Sequence, residues 1–170
     1  MIKAVAKLFI ALNGNVKKSQ LAAGFAWGVL LGLIPAGNAF WLAMFLVSFF
    51  FRHNHGAKIF GMALIKLISP LIIYGVHEIG FFILSLEALA PFFTALFNMP
   101  FIPFTKFNNT LVMGGLALGM ALWLPVFFMF IGLIPVYRKN LSPKIRESKI
   151  IKNIARFPLF NLIEKALNRN

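Results

Sequence analysis

The chain has 170 residues, of which 60% are hydrophobic and 12% charged, and its formal net charge is +13. This composition excludes an ordinary soluble domain and predicts a single integral membrane domain. The chain contains no cysteine, which excludes disulfides, thiolate nucleophiles and cysteine-ligated metals. Only four residues are acidic, which leaves few groups for acid–base catalysis. The basic residues cluster at both ends and in one loop, a distribution typical of cytoplasmic membrane flanks rather than a nucleic-acid interface.

Residues 1–18 predict a short amphipathic helix on the cytoplasmic leaflet. Apolar residues recur there at helical spacing, and Lys3 and Lys7 lie four residues apart. The apolar positions are Ile2, Val5, Phe9 and Leu12. Ser19 is placed to cap the helix that follows.

The uncharged run from Ser19 to Phe51 predicts a broken helical hairpin. One straight helix of that length would measure about 50 Å, against about 30 Å of hydrocarbon. Pro35–Asn38 interrupts the run, and each arm alone is too short to cross. Basic residues at Lys17, Lys18 and Arg52 favour a segment that enters the bilayer and returns, with a pair of thin complete spans as the alternative.

The next apolar segment, Ile59–Leu86, predicts one outward span kinked at Pro70. Lys66, His77 and Glu78 make it a candidate for an intramembrane polar site, because ionisable groups are costly inside a membrane. The alternative for His77 and Glu78 is a pair of interfacial or loop-side residues, because both lie near the outer interface. For Lys66 the alternatives are pairing with a helix C-terminus of the hairpin and extension of its side chain toward the cytoplasm.

Leu89–Thr105 contains three prolines and predicts a second re-entrant or interfacial segment on the far side. Phe107–Tyr137 predicts the returning span, capped by Asn108 or Asn109. Gly115 and Gly119 have the spacing of a helix-packing face. The predicted divisions are therefore an interfacial helix over 1–18, an all-α membrane domain over 19–137, and a basic amphipathic cytoplasmic tail over 138–170.

The layout of broken segment plus span, twice, is the pattern of an inverted repeat. Gly32–Pro35 and Gly132–Pro135 share the same four residues, GLIP.

Three motifs carry a family resemblance over roughly residues 15–137. They are Ser19–Pro35 (SQLAAGFAWGVLLGLIP) with the adjoining Ala36–Asn38, Lys66–Pro70 (KLISP) and Pro103–Thr110 (PFTKFNNT). The first resembles the opening of a family of small bacterial inner-membrane proteins recorded as a domain of unknown function. Pro35–Asn38 and the other two motifs look like a narrower subgroup of that family, and the last motif is the most specific. The resemblance implies an inner-membrane protein paired with a large periplasmic or envelope-spanning protein, while the basic flanks predict that both termini are cytoplasmic.

We therefore expect a small subunit of an envelope complex that takes part in phospholipid transfer toward the outer membrane. The candidate contacts for lipid or partner are Pro35, Asn38, Phe93, Phe97, Phe101, Phe104, Lys106, Asn108 and Asn109. The alternatives are a self-sufficient small transporter or channel, and a lipid-modifying enzyme that uses His77 and Glu78. We expect no catalytic residue, cofactor or metal. His53 and His55 have metal-ligand spacing, but no carboxylate or thiolate completes a site.

Overall fold

A computed structural model describes residues 16–140 of the chain. Its helices are α1 (Lys18–Leu33), α2 (Ala39–Val47), α3 (His55–Leu84), α4 (Ala90–Phe97) and α5 (Thr110–Asn140). Short 3₁₀ turns cover Ser48–Phe50, Glu87–Leu89 and Ile102–Thr105. Residues 16–140 contain no strand, so the all-helical prediction is confirmed for this part. Residues 1–15 of the predicted interfacial helix and residues 141–170 of the predicted tail lie outside the described range.

The two helices predicted as spans, α3 and α5, are each long and apolar enough to cross a membrane. The centre of the bundle is occupied by neither of these two helices but by α1, which packs against both α3 and α5 along its length. Most of its side chains are buried on every side of the helix. A helix that is apolar all round is expected in this position, because it has no face for water.

The break after α1 follows directly from its sequence. Ile34 precedes a proline, which disfavours helical backbone, and it adopts an extended conformation with φ −76° and ψ 129°. Gly37 then has φ +89°, a left-handed conformation that costs glycine little. The Asn38 side chain caps α2 by accepting from Trp41 N at 2.7 Å, and donates to Pro35 O at 2.7 Å.

After α2 the chain returns to the N-terminal end of α1. The backbone N–H of Asn54 donates to Gln20 O at 2.9 Å. At the same end, the Arg138 guanidinium donates to Val16 O at 2.7 Å. Lys17 and Arg52 therefore lie at one end of the bundle, together with the C-terminal end of α5.

Two details of the helix ends differ from the sequence-based expectation. Ser19 does not cap α1, because the helix begins one residue earlier and Lys17 occupies the cap position without a side-chain bond. At the other end, α5 continues past residue 137 through Arg138 and Lys139.

The two GLIP segments take different structures. The first ends α1, whereas the second lies inside α5, with Pro135 within the helix. The difference follows from the next residues, since Gly37 and Asn38 favour a turn and Val136 and Tyr137 do not.

At the other end of the bundle, α3 and α5 are in close contact at Gly80 and Gly114. A Cβ on Gly80 would collide with Thr110 O, and a Cβ on Gly114 would collide with Val76 O. The connecting segment over residues 85–109 begins here, and its last 3₁₀ turn lies against α2. Pro70 is accommodated within α3 without ending it.

Candidate functional site

A partly open cleft of about 200 Å³ lies where α1 breaks. Leu33 and Pro35 form its wall on the broken hairpin, Lys66 and Ser69 its polar wall on α3, and Leu111 contributes from α5. The rest of the lining is apolar. Lys66 and Ser69 are therefore the polar side chains of an otherwise apolar cleft, beside irregular backbone.

Lys66 binds the broken end of α1. Its Nζ donates to Ile34 O at 2.8 Å, at the carboxyl end of that helix. The helix dipole places partial negative charge there, so a cation is favourable. Pro35 has no N–H for the carbonyl of Leu31, and the Trp41 indole N–H supplies it at 3.0 Å. Two side chains thus satisfy carbonyls that the break leaves without helical partners.

Pro70 likewise leaves a carbonyl of α3 without its helical N–H donor, and a side chain again supplies the hydrogen bond. It cannot donate to the carbonyl of Lys66, four residues earlier. The Ser69 hydroxyl donates to that carbonyl at 2.9 Å instead. Within the KLISP motif, the serine therefore compensates for the proline, and the lysine side chain is directed to the break in α1.

The structure does not bring His77 and Glu78 to Lys66. They lie eleven and twelve residues further along α3, a rise of about 16–18 Å. His77 Nδ1 is 2.7 Å from Thr110 Oγ1 at the start of α5, and both His77 and Glu78 are exposed. The three residues therefore do not form one intramembrane polar site.

The far segment over residues 85–109 exposes much of its aromatic surface. Phe101 is 79% exposed and Phe104 is 70% exposed, and Phe97 is also exposed. Phe93 is half-buried, with its ring 6.2 Å from that of Phe107. Exposed apolar side chains concentrated on one segment are typical of a surface that contacts protein or membrane.

Strained backbone flanks the 3₁₀ turn of this segment. Phe101 and Lys106 have φ of +70° and +54°, which are uncommon values for residues other than glycine. The side chain of Lys106 is exposed, and so is that of Asn108. Asn109 caps α5, because its Oδ1 accepts from Leu111 N at 2.9 Å and from Val112 N at 3.3 Å.

Of the remaining candidates, Asn38 is buried and both of its polar atoms are used within the turn that it closes. Gly115 and Gly119 face α1. A Cβ on Gly115 would lie 2.6 Å from Leu33 O, and one on Gly119 would lie 3.1 Å from Leu30 Cα. These two glycines allow α5 to approach the centre of the bundle.

A buried cation at the basic end was not foreseen. Lys58 is 1% exposed, and its Nζ donates to Ser48 Oγ at 2.8 Å. The same Nζ lies 4.5 Å and 4.2 Å from the ring centroids of Phe45 and Phe49, which is cation–π geometry. The sequence feature that could have indicated this site is the spacing of Phe45, Ser48 and Phe49. That spacing puts two rings and one hydroxyl on the same face of an otherwise apolar helical run.

His53 lies beside this cation. Its Nδ1 is 2.8 Å from Phe51 O, so Nδ1 carries the proton and Nε2 is an acceptor. The pKa of His53 is lowered to about 4, mainly because the ring is buried. The hydrogen bond to Phe51 O acts to raise this pKa, and the charge of Lys58 acts to lower it. Residues 16–140 contain no cluster of histidine and acidic residues able to hold a metal ion.

Comparison with known proteins gives two matches. A family model described as an uncharacterized protein conserved in bacteria (DUF2062) matches residues 5–141. An uncharacterized protein of Treponema pallidum (strain Nichols) is 31% identical over 159 residues, covering 94% of this chain and 98% of that relative. No solved structure matches the chain.

Proposed function

Since the chain belongs to the bacterial DUF2062 family, whose description states no activity, we propose a function from the geometry of its own residues. The protein is a small subunit of the bacterial inner membrane that passes phospholipid to a large periplasmic partner. The lipid then moves toward the outer membrane. The far segment over residues 85–109 is the surface that meets both the lipid and the partner.

The observation that carries the proposal is the exposed aromatic surface of Phe97, Phe101 and Phe104. These rings stand on short helical turns rather than on a long helix that crosses the bilayer. Irregular backbone inside a membrane must be covered by protein or lie at a water-filled cavity. A partner seated on this segment would cover both the irregular backbone and the exposed rings, while the rings remain suited to acyl chains.

The distribution of charge supports the orientation. Lys17, Arg52 and Lys139 are exposed at the end where α1 begins and α5 finishes. The positive-inside rule places that end in the cytoplasm. The opposite end of the bundle, where α3 meets α5 and residues 85–109 begin, then faces the periplasm.

A stand-alone transporter is the second candidate, and the cleft beside Lys66 favours it. A broken helix with a polar group at the break is a common arrangement for binding sites in transporters. The enzyme alternative has less support, because His77 contacts Thr110 and is exposed away from the cleft.

Photo-crosslinking in cells tests the proposal. A photoreactive residue at Phe97 or Phe101 is expected to capture phospholipid and one large periplasmic protein. The matched control is Phe128, which is exposed on the middle of α5, where it meets only bulk lipid in this proposal. If Phe97 and Phe101 capture no more lipid than Phe128 and no protein, the proposed function is wrong. Substrate transport by the purified protein alone would favour the stand-alone transporter.

A further inference from the structure

Lys66 has hydrogen-bonding capacity that the described chain does not use. An ammonium group has three donors, and within residues 16–140 the one hydrogen bond of the Lys66 ammonium goes to Ile34 O. The acids of the described range are Glu78 and Glu87, and the nearer, Glu78, is about 18 Å further along α3. The carboxyl end of α1 offers about half an elementary charge against the full charge of the lysine.

The depth of Lys66 makes this unused charge costly. Lys66 lies eleven residues after the start of α3 at the basic end, which corresponds to about 16 Å of helix. That is about half of a hydrocarbon layer of about 30 Å. In the proposed orientation, an ammonium group with incomplete compensation would therefore lie deep within the membrane, where uncompensated charge is strongly unfavourable.

We propose that the cleft beside Lys66 binds the anionic phosphate headgroup of a membrane phospholipid. The inference rests on the membrane orientation of the proposed function. The phosphate accepts the free N–H donors of Lys66 in charge-assisted hydrogen bonds. Ser69 Oγ, whose proton is committed to the carbonyl of Lys66, remains an acceptor for a headgroup hydroxyl or amine.

The shape of the cleft suits a headgroup whose acyl chains remain outside. Its volume of about 200 Å³ is below the range typical of sites that enclose a whole drug-sized ligand. Ile73 lines the cleft and is also exposed on α3, so it joins the site to the outer apolar surface. A headgroup held at this depth lies between the leaflets, the position that a lipid passes in moving from one leaflet to the other.

The test measures lipid retained by the full-length protein in detergent, using native mass spectrometry. The probes are phosphatidylglycerol, diacylglycerol, which has the same acyl chains without the phosphate, and inorganic phosphate. We expect the wild type to retain phosphatidylglycerol but not diacylglycerol. Inorganic phosphate should not displace the lipid, because it lacks the acyl chains.

Two variants separate the charge of Lys66 from its structural role. Lys66→Gln keeps a donor for Ile34 O but has no charge, and it should lower retention about tenfold, as expected for a lost charge-assisted hydrogen bond. Lys66→Arg keeps the charge and the donors for phosphate, so it should retain several-fold more lipid than Lys66→Gln. Lys139→Gln is the matched control, because it removes an exposed cation outside both the cleft and the far segment, and it should change retention less than about twofold.

Ile73→Trp tests the same site without altering Lys66 and remains informative if Lys66→Gln fails to fold. The larger side chain should obstruct the cleft and lower retention about tenfold, the loss expected if the same contact is broken. Undiminished retention in folded Lys66→Gln or in Ile73→Trp would overturn the inference, as would binding of inorganic phosphate without lipid. Failure of the crosslinks at Phe97 and Phe101 with lipid retention intact would instead refute the proposed function.

Discussion

At the scale of single residues, the broken hairpin depends on side chains that replace missing backbone donors. Pro35 deprives the carbonyl of Leu31 of its helical partner, and Trp41 supplies an indole N–H. Lys66 donates to a second carbonyl of the break, that of Ile34. An unsatisfied carbonyl in apolar surroundings costs several kcal/mol, so these contacts determine whether the break is tolerated.

Trp41→Phe should therefore destabilise the fold. Phenylalanine can retain the stacked contact with Phe45 but cannot donate to Leu31 O, a loss of about 1–3 kcal/mol. The matched control is Trp123→Phe, because Trp123 is also half-buried, stacks on Phe127 and makes no indole hydrogen bond within residues 16–140. The same change of side-chain volume should therefore cost less there than in Trp41→Phe. Denaturant unfolding in detergent measures both, and an equal or larger loss in Trp123→Phe would contradict this account.

At the scale of elements, the sequence predicted the two long helices and the interruption at Pro35, because length, proline and flanking charge report on these directly. It did not identify α1 as the central helix. Apolar residues face both lipid and protein in a membrane, so a uniformly apolar run contains no periodic signal for its buried face. The burial of Lys58 was also missed, because it depends on Phe45 of α2 and on Phe49 of the following 3₁₀ turn, which lie outside α3.

Small residues give a better guide to packing than hydrophobicity does. Gly24, Gly28 and Gly32 repeat every four residues along the face of α1 that contacts α3, where Cβ atoms would lie 2.5–2.6 Å from the nearest neighbouring atoms. On α5, the neighbouring Leu116 is half-buried and packs against the cluster of buried residues around Trp27.

Gly28→Ala should weaken the contact between α1 and α3. Its Cβ would lie 2.5 Å from Lys58 O, so the helices must separate, at a cost of about 1–3 kcal/mol. Gly132→Ala in α5 is the matched control, because nothing lies within 4 Å of the added carbon. It should be neutral or slightly stabilising, since alanine favours helix. Equal melting temperatures for the two variants in detergent would argue against close packing at Gly28.

At the scale of the whole molecule, charge and aromatic surface are separated along the bundle. The hydrogen bonds from Asn54 to Gln20 and from Arg138 to Val16 bring the ends of three segments together. The exposed cations Lys17, Arg52 and Lys139 therefore belong to one face of the membrane in the proposed orientation. The far end instead carries the proline- and phenylalanine-rich segment over residues 85–109.

Cysteine labelling tests this orientation in a chain that has no cysteine of its own. Lys17→Cys, Arg52→Cys and Lys139→Cys should resist a membrane-impermeant maleimide in intact spheroplasts and react fully after permeabilisation. Glu87→Cys and Asn108→Cys, which replace exposed residues of the far segment, should react in both conditions. Lys58 is unsuitable as a label because it is buried. Labelling of Lys17→Cys and Arg52→Cys from opposite sides would contradict the returning hairpin, because the bond between Asn54 and Gln20 requires both ends on one side.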